Sequence, residues 1–166
     1  LGVIGDSEKR INRTRSWQFD VEEIGWRYHM SDIMASIGRV QLKRMEDFAR
    51  KRRSLCKAYN LFLENVTGIS PVFNSFEDWI PHIYPIKCSL AMGQNEFRKK
   101  LLDKGIETGL HYAPNHLHSI FRQMYLTELP VTESIVTQLV SLPLHVDLTQ
   151  SDLEYVCSEI KYLASS

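Results

Sequence analysis

Apolar residues recur at helical spacing through the first half of the chain. Met34, Ile37, Met45, Phe48, Leu55, Tyr59, Phe62 and Val66 fall at separations compatible with a 3.6-residue period, with Gln41 and Arg52 interrupting the stripe. The pattern predicts one long amphipathic helix over residues 31–66. Ser31 opens it as N-cap, Asp32 complements the positive end of the dipole, and Thr67-Gly68 with Pro71 stop it. At ~1.5 Å per residue an unbroken helix of that span is roughly 50 Å long, a length that often bridges two domains or two subunits.

Residues 1–24 are polar, mixed in charge and without sustained period, so residues 1–30 read as an extended arm that needs another surface to hold it. Trp17 and Phe19, two apart, either present two rings on one face of a strand or tuck onto the domain. Beyond Pro71 the period shortens. Tyr84, Ile86, Cys88 and Leu90 alternate as in a half-buried strand, and Pro85 asks for an edge position or a bulge. Asn95 is placed to cap a helix through Lys104 that Gly105 ends. Residues 106–112 read as a second strand, Thr132 opens a helix, and residues 141–145 read as a short strand. Thr149 and Asp152 start a terminal helix carrying the stripe Leu153, Val156, Ile160 and Leu163. The expected fold class is α/β of the α+β type: the long helix, then an α/β unit over 82–164 in which helices cover a small, mainly antiparallel sheet.

Composition adds limits. The chain has 166 residues, 43% of them hydrophobic, enough for one domain with a sizeable core. A formal net charge of zero argues against a dedicated nucleic-acid or membrane-surface binder. The charge is uneven, however: residues 1–60 hold 13 Lys/Arg against 8 Asp/Glu, and the rest hold 7 against 12. Arg39, Lys43, Arg44, Arg50, Lys51, Arg52 and Arg53 give the long helix a basic side. It is either a phosphate-binding surface or a solvated face, and Glu46, Asp47 and the lack of interleaved aromatics favour the solvated face. Cys56, Cys88 and Cys157 form no C-x-x-C pair and read as reduced thiols of a cytoplasmic protein. No apolar run approaches the ~20 residues of a membrane span. With no signal peptide visible, the N-x-T triplets at Asn12 and Asn65 read as chance. The first residue is Leu, and the chain is expected to be a piece of a longer protein.

The chain contains no G-x-S-x-G, H-E-x-x-H, Walker loop or G-x-G-x-x-G. One polar cluster stands out: His111, Tyr112, Asn115, His116 and His118 in HYAPNHLH, between a strand and a helix. The histidine spacing suits a metal, but no carboxylate or thiol lies nearby to complete a site, and no metal is expected. An anion-binding or substrate-lining loop and ordinary loop histidines both remain open.

The run GWRYHMSDIMASIGRVQL resembles the motif G-(Y/F)-N-Y-(R/K)-M-(S/T)-(D/E)-(I/L)-x-A-A-(I/L)-G, followed by x-x-Q-L, of the DegT/DnrJ/StrS-type sugar aminotransferases. It supplies Gly25, Tyr28, Met30, Ser31, Asp32, Ile33, Ala35, Ile37, Gly38, Gln41 and Leu42. Further matches follow in order: Gly105 to Tyr112, His118, Leu129-Pro130-Val131-Thr132-Glu133 and Ser141-Leu142-Pro143-Leu144-His145. The resemblance covers residues 25–163 and only the C-terminal part of such an enzyme.

That resemblance implies the small domain of a fold type I pyridoxal 5'-phosphate (PLP) enzyme that aminates nucleotide-linked keto-sugars, as a cytoplasmic homodimer. The family's Asn that reaches the cofactor phosphate of the dimer partner is Arg27 here, which makes Arg27 the cofactor-binding candidate. His29 stands where the family has an Arg near the substrate carboxylate, and His29, Tyr112, His116 and His118 are the substrate-binding candidates. The large domain, its aspartate for the pyridinium nitrogen and the lysine of S-F-x-x-x-K have no counterpart in this sequence. No catalytic residue is therefore expected in this chain, which alone should neither bind PLP nor transaminate. An N-terminal PLP-binding half is the implied partner. Two alternatives stand beside this reading: a non-catalytic dimerisation module of the same fold, and a regulatory nucleic-acid binder using the basic helix side.

Overall fold

The computed structural model describes residues 2–3, 21–23, 26, 28–124 and 128–165. It divides into two compact units, Leu1–Lys43 and Arg44–Ser166. In the first, β1 (Gly2–Val3) pairs antiparallel with β2 (Val21–Glu23), and α1 runs over Asp32–Lys43. Ser31 caps α1 as its sequence position suggests, its hydroxyl accepting from the Met34 N–H at 3.3 Å. None of the α1 residues is buried. Trp17 and Phe19 lie outside the described residues.

The second unit opens with α2 (Met45–Leu63). One helix over 31–66 was expected; two are found, with Arg44 between them at φ −92°, ψ −5°. Its guanidinium lies 4.6 Å from the centre of the Phe48 ring. The stop also comes early. Glu64 is extended and Asn65 takes φ +60°, a left-handed conformation that Asn tolerates better than most residues, so the chain leaves the helix before Gly68.

The chain returns as β3 (Ile69–Pro71), β4 (Tyr84–Cys88) and β5 (Leu139–Leu142), an antiparallel sheet in the order β3-β4-β5. β3 was not foreseen. β4 is central rather than an edge, and it is buried on both faces instead of alternating. Pro85 is tolerated there because of register. Its carbonyl accepts from the Val72 N–H at 3.2 Å, just past the end of β3, so the bond its missing N–H would make falls where that ladder has run out. Facing it on the other side, Ser141 directs its own N–H and C=O to Gly109.

The Gly109–Ser141 exchange, at 2.8 and 2.9 Å, is an isolated bridge and all that forms of the strand expected over 106–112. On the β5 side the ladder runs out of partners, because Pro143 has no N–H and its carbonyl accepts from Tyr59, while the Leu139 carbonyl accepts from the Gln94 side chain. Arg98 occupies the other edge of the segment, donating to the hydroxyl (3.3 Å) and the carbonyl (3.2 Å) of Thr108. Arg98 belongs to α3 (Gly93–Asp103), which starts two residues before the expected Asn95 cap. It ends in a Schellman turn, with Gly105 at φ +76° and Ile106 N–H bonded to the Leu101 carbonyl. A 3-10 turn (Asn115–Leu117), α4 (Ser119–Met124) and α5 (Pro130–Val136) follow, α5 opening at Pro130 rather than Thr132. The terminal helix α6 (Gln150–Ala164) carries the expected capping box between Thr149 and Asp152. Leu153, Val156, Ile160 and Leu163 are buried, joined by Cys157. One core collects Leu55, Tyr59 and Leu63 of α2, Phe97 and Leu101 of α3, the sheet, and the α6 stripe. Among the described residues no helix is long and apolar enough to cross a membrane.

Candidate functional site

A cleft of about 840 Å³ opens where β5, the segment after α3 and the start of α6 meet. Ile106, Leu142, Leu148 and Val156 are its buried lining, and His82, Glu107, His145, Asp152 and Tyr155 are its exposed rim. Core bonds fix its walls. The Tyr59 hydroxyl, on a side chain stacked on Tyr84 with ring centres 4.6 Å apart, donates to the Pro143 carbonyl at 2.9 Å. The Tyr155 hydroxyl donates to the Lys104 carbonyl at 3.0 Å. At the mouth of α6, Thr149 and then His145 hold the Asp152 carboxyl below the usual carboxylate range.

The HYAPNHLH loop is divided by the fold. His111 enters the cleft and lies against Gly109, where an added Cβ would stand 2.6 Å from its Cε1, so a larger residue there would have to displace the imidazole. Its Nδ1 is buried without a hydrogen-bond partner in the protein, and its ring meets Tyr112 edge-on at 4.9 Å. Tyr112 is otherwise 70% exposed. His116 turns away from the cleft lining to Glu133, Nε2 to Oε1 at 3.0 Å. His118 is exposed, and its carbonyl receives the N–H groups of Phe121 and Arg122 at the start of α4. His29 is exposed in the first unit, and Arg27 lies outside the described residues. Among the described residues no three His, Cys, Asp or Glu side chains group closely enough to hold a metal ion.

Sequence reasoning missed His82 and left His145 as the last letter of SLPLH. Both sit beside strands of the sheet, at the N-terminal side of β4 and past the end of β5. That placement is a recurring address for site residues and the signal available to find them. On the basic side Arg39, Lys43, Arg44, Arg50 and Lys51 are exposed, as expected of a solvated face, and Arg52 and Arg53 are the exceptions. Arg53 Nε donates to the carbonyls of Phe76 (3.0 Å) and Trp79 (3.1 Å), and Arg52 to that of Pro81 (3.2 Å); both side chains are half-buried. Arg50 pairs with Asp47 and Lys57 with Glu77. Arg52, Arg53 and Lys57 thus fasten the 76–81 segment, and Arg50 is paired within its own helix.

With carboxylates and imidazoles at its rim and no Lys or Arg among its described lining residues, the cleft suits neutral hydroxyl or amine groups better than a phosphate. Comparison with known proteins gives this site its context. The sequence profile of the DegT/DnrJ/EryC1/StrS aminotransferase family matches residues 6–161. The chain belongs to that family. An uncharacterized protein of Methanocaldococcus jannaschii is 31% identical over 99% of the chain. The chain also matches the crystal structure of an aminotransferase of Streptoalloteichus hindustanus (31% identity, 92% of the chain, TM-score 0.77). A sugar aminotransferase of Micromonospora echinospora superposes as well (26% identity, 98% of the chain, TM-score 0.81). The fold is therefore that of the C-terminal part of these aminotransferases. The chain spans less than half of each relative, 44%, 41% and 42% of their respective lengths.

Proposed function

We propose that this chain is the C-terminal portion of a PLP-dependent aminotransferase acting on nucleotide-linked keto-sugars, and that an N-terminal half supplies the lysine that links to the cofactor. The observation that carries the reading is the family match over residues 6–161 in a chain that spans under half of its relatives. The cleft's own residues do not fit PLP. Among the described residues the lining offers no lysine for a covalent link and no Lys or Arg for the phosphate, while Glu107 and Asp152 oppose an anion. No step through the cofactor is assigned to this chain. Its part is to bind and orient the sugar nucleotide through His29, Tyr112, His116 and His118, with Arg27 meeting the cofactor phosphate across a cytoplasmic homodimer. Alone it is inactive.

The reading is tested by co-expressing the chain with its matching N-terminal half. The pair is expected to show the near-visible absorbance of lysine-bound PLP and to transfer an amino group to a nucleotide-linked keto-sugar, whereas each half alone does neither. If both halves are folded and associated, yet the pair shows neither absorbance nor transfer, the proposal is overturned.

A further inference from the structure

We infer that Glu133 is the positioning residue of the histidine loop, holding His116 with its proton on Nε2 and tying the Asn115–Leu117 turn to the start of α5. The inference rests on the proposed function only in giving His116 a place against the substrate; the contact itself stands on geometry. Oε1 of Glu133 takes two donors at once, the Leu129 N–H at 3.0 Å and His116 Nε2 at 3.0 Å. An ionised carboxylate only accepts, so the nitrogen facing it must carry hydrogen. In the neutral ring Nδ1 is then an acceptor, the complement of a ligand hydroxyl rather than of a carboxylate or phosphate.

Three features make Glu133 the holder and His116 the held group. Its carboxylate is anchored by the backbone at the N-cap of its own helix, independently of the imidazole. It is kept ionised: the bond from Leu129, then the one from His116, then the charges of His116 when protonated and of Arg122 on α4 lower its pKa below the usual carboxylate value. Finally, the His116 side chain is 11% exposed against 40% for Glu133, so the imidazole has given up most of its water while the carboxylate has not. The turn that bears His116 is a single 3-10 turn closed by the Leu117 and His118 N–H groups, each at 3.0 Å, too short to fix a side chain without such a tie. The contact joins two stretches that the sequence offers separately, HYAPNHLH and LPVTE, through residues 17 apart in the chain.

The test reads the imidazole N–H of His116 by proton and nitrogen-15 NMR on this chain. The wild-type chain is expected to show a slowly exchanging, downfield Nε2–H. Glu133→Gln keeps an acceptor oxygen and should retain the resonance at a less downfield position. Glu133→Ala should lose it to solvent exchange. His116→Phe assigns the signal and leaves the α5 cap intact, so loss of signal from unfolding is separated by the unchanged amide spectrum of α6. A proton found on Nδ1 alone, or a resonance surviving in Glu133→Ala, overturns the inference. In the reconstituted aminotransferase Glu133→Ala should raise KM for the keto-sugar about tenfold, the equivalent of one misplaced hydrogen bond, with little change in cofactor absorbance. An unchanged KM beside a lost N–H signal would instead count against His116 as a substrate residue, and leave the positioning intact.

Discussion

Replacing Arg53 by methionine separates a structural role for the basic side of α2 from a binding one. Nε carries a single hydrogen, so its 3.0 and 3.1 Å contacts with the Phe76 and Trp79 carbonyls describe one shared, charge-assisted bond. Such a bond contributes about 1.5–3 kcal/mol, and methionine keeps the apolar stem in place while stranding a carbonyl in a residue that is 1% exposed. A loss of about 2 kcal/mol follows, which at a urea m-value of about 2 kcal/mol/M lowers the unfolding midpoint by about 1 M. Trp79 is the reporter, its ring packed 5.0 Å from Phe73 and 5.8 Å from Phe76 in the same segment. The exposed neighbour Lys51 is the control, and Lys51→Met should stay within about 0.5 kcal/mol of wild type. Equal effects at the two positions, or less than about 0.5 kcal/mol at Arg53, would refute the clamp. A phosphate-binding face predicts the opposite pattern, similar losses of salt-dependent binding at both with stability unchanged.

Other perturbations follow from the core and the cap. Tyr59→Phe should cost about 1–2 kcal/mol in thermal or urea unfolding, because the deleted hydroxyl leaves the Pro143 carbonyl without its donor. Burial pushes the Cys56 and Cys157 thiols up to about 12 from an ordinary 9.0, against the opposing charges of Arg52 and Lys161 respectively. The folded state therefore holds those protons more tightly, so the stability is present below pH 9 and declines as pH rises toward 12; urea midpoints across that range measure it. At neutral pH a thiol reagent should label both cysteines only on unfolding, since the thiolate is the reacting form. Thr149→Ala should cost about 1 kcal/mol by removing the cap of α6. Because Thr149 is the first cause of the lowered Asp152 pKa, that stability is present above the ordinary carboxylate pKa and lost on acidification through the lowered one; the variant should show a shallower acid limb.

What the sequence made legible was whatever one face of one element decides. The α6 stripe and its Thr149–Asp152 box are local patterns, and both are found. Pro85 misleads because a proline's tolerance depends on where the neighbouring ladder ends, which only the β3–β4 register determines. The strand expected over 106–112 shrinks to one bridge because Pro143 has no N–H to give and a side chain from another element, Gln94, takes the Leu139 carbonyl. The site divides the same way. HYAPNHLH is visible as a polar loop, but that His111 belongs with His82 and His145 while His116 belongs with Glu133 depends on chain path rather than spacing.

The longest motif of the family resemblance, residues 25–42, is where this chain's own packing explains least. Ile33, Ile37 and Val40 stand one helical face apart on α1, yet they are 73%, 53% and 56% exposed. Burying an isoleucine is worth roughly 1.5–3 kcal/mol, so a residue left that exposed contributes little of it. Ile37→Lys should accordingly leave the urea midpoint of this chain within about 0.5 kcal/mol of wild type, although the same change in a packed helix is strongly destabilising. Under the proposed function that face has its use in the complete dimer, where Ile37→Lys should weaken assembly, measured by sedimentation of the reconstituted halves. A loss above about 1 kcal/mol in the chain alone would mean that α1 is held by this chain's own packing, and the apolar pattern of 33–40 would then need no partner.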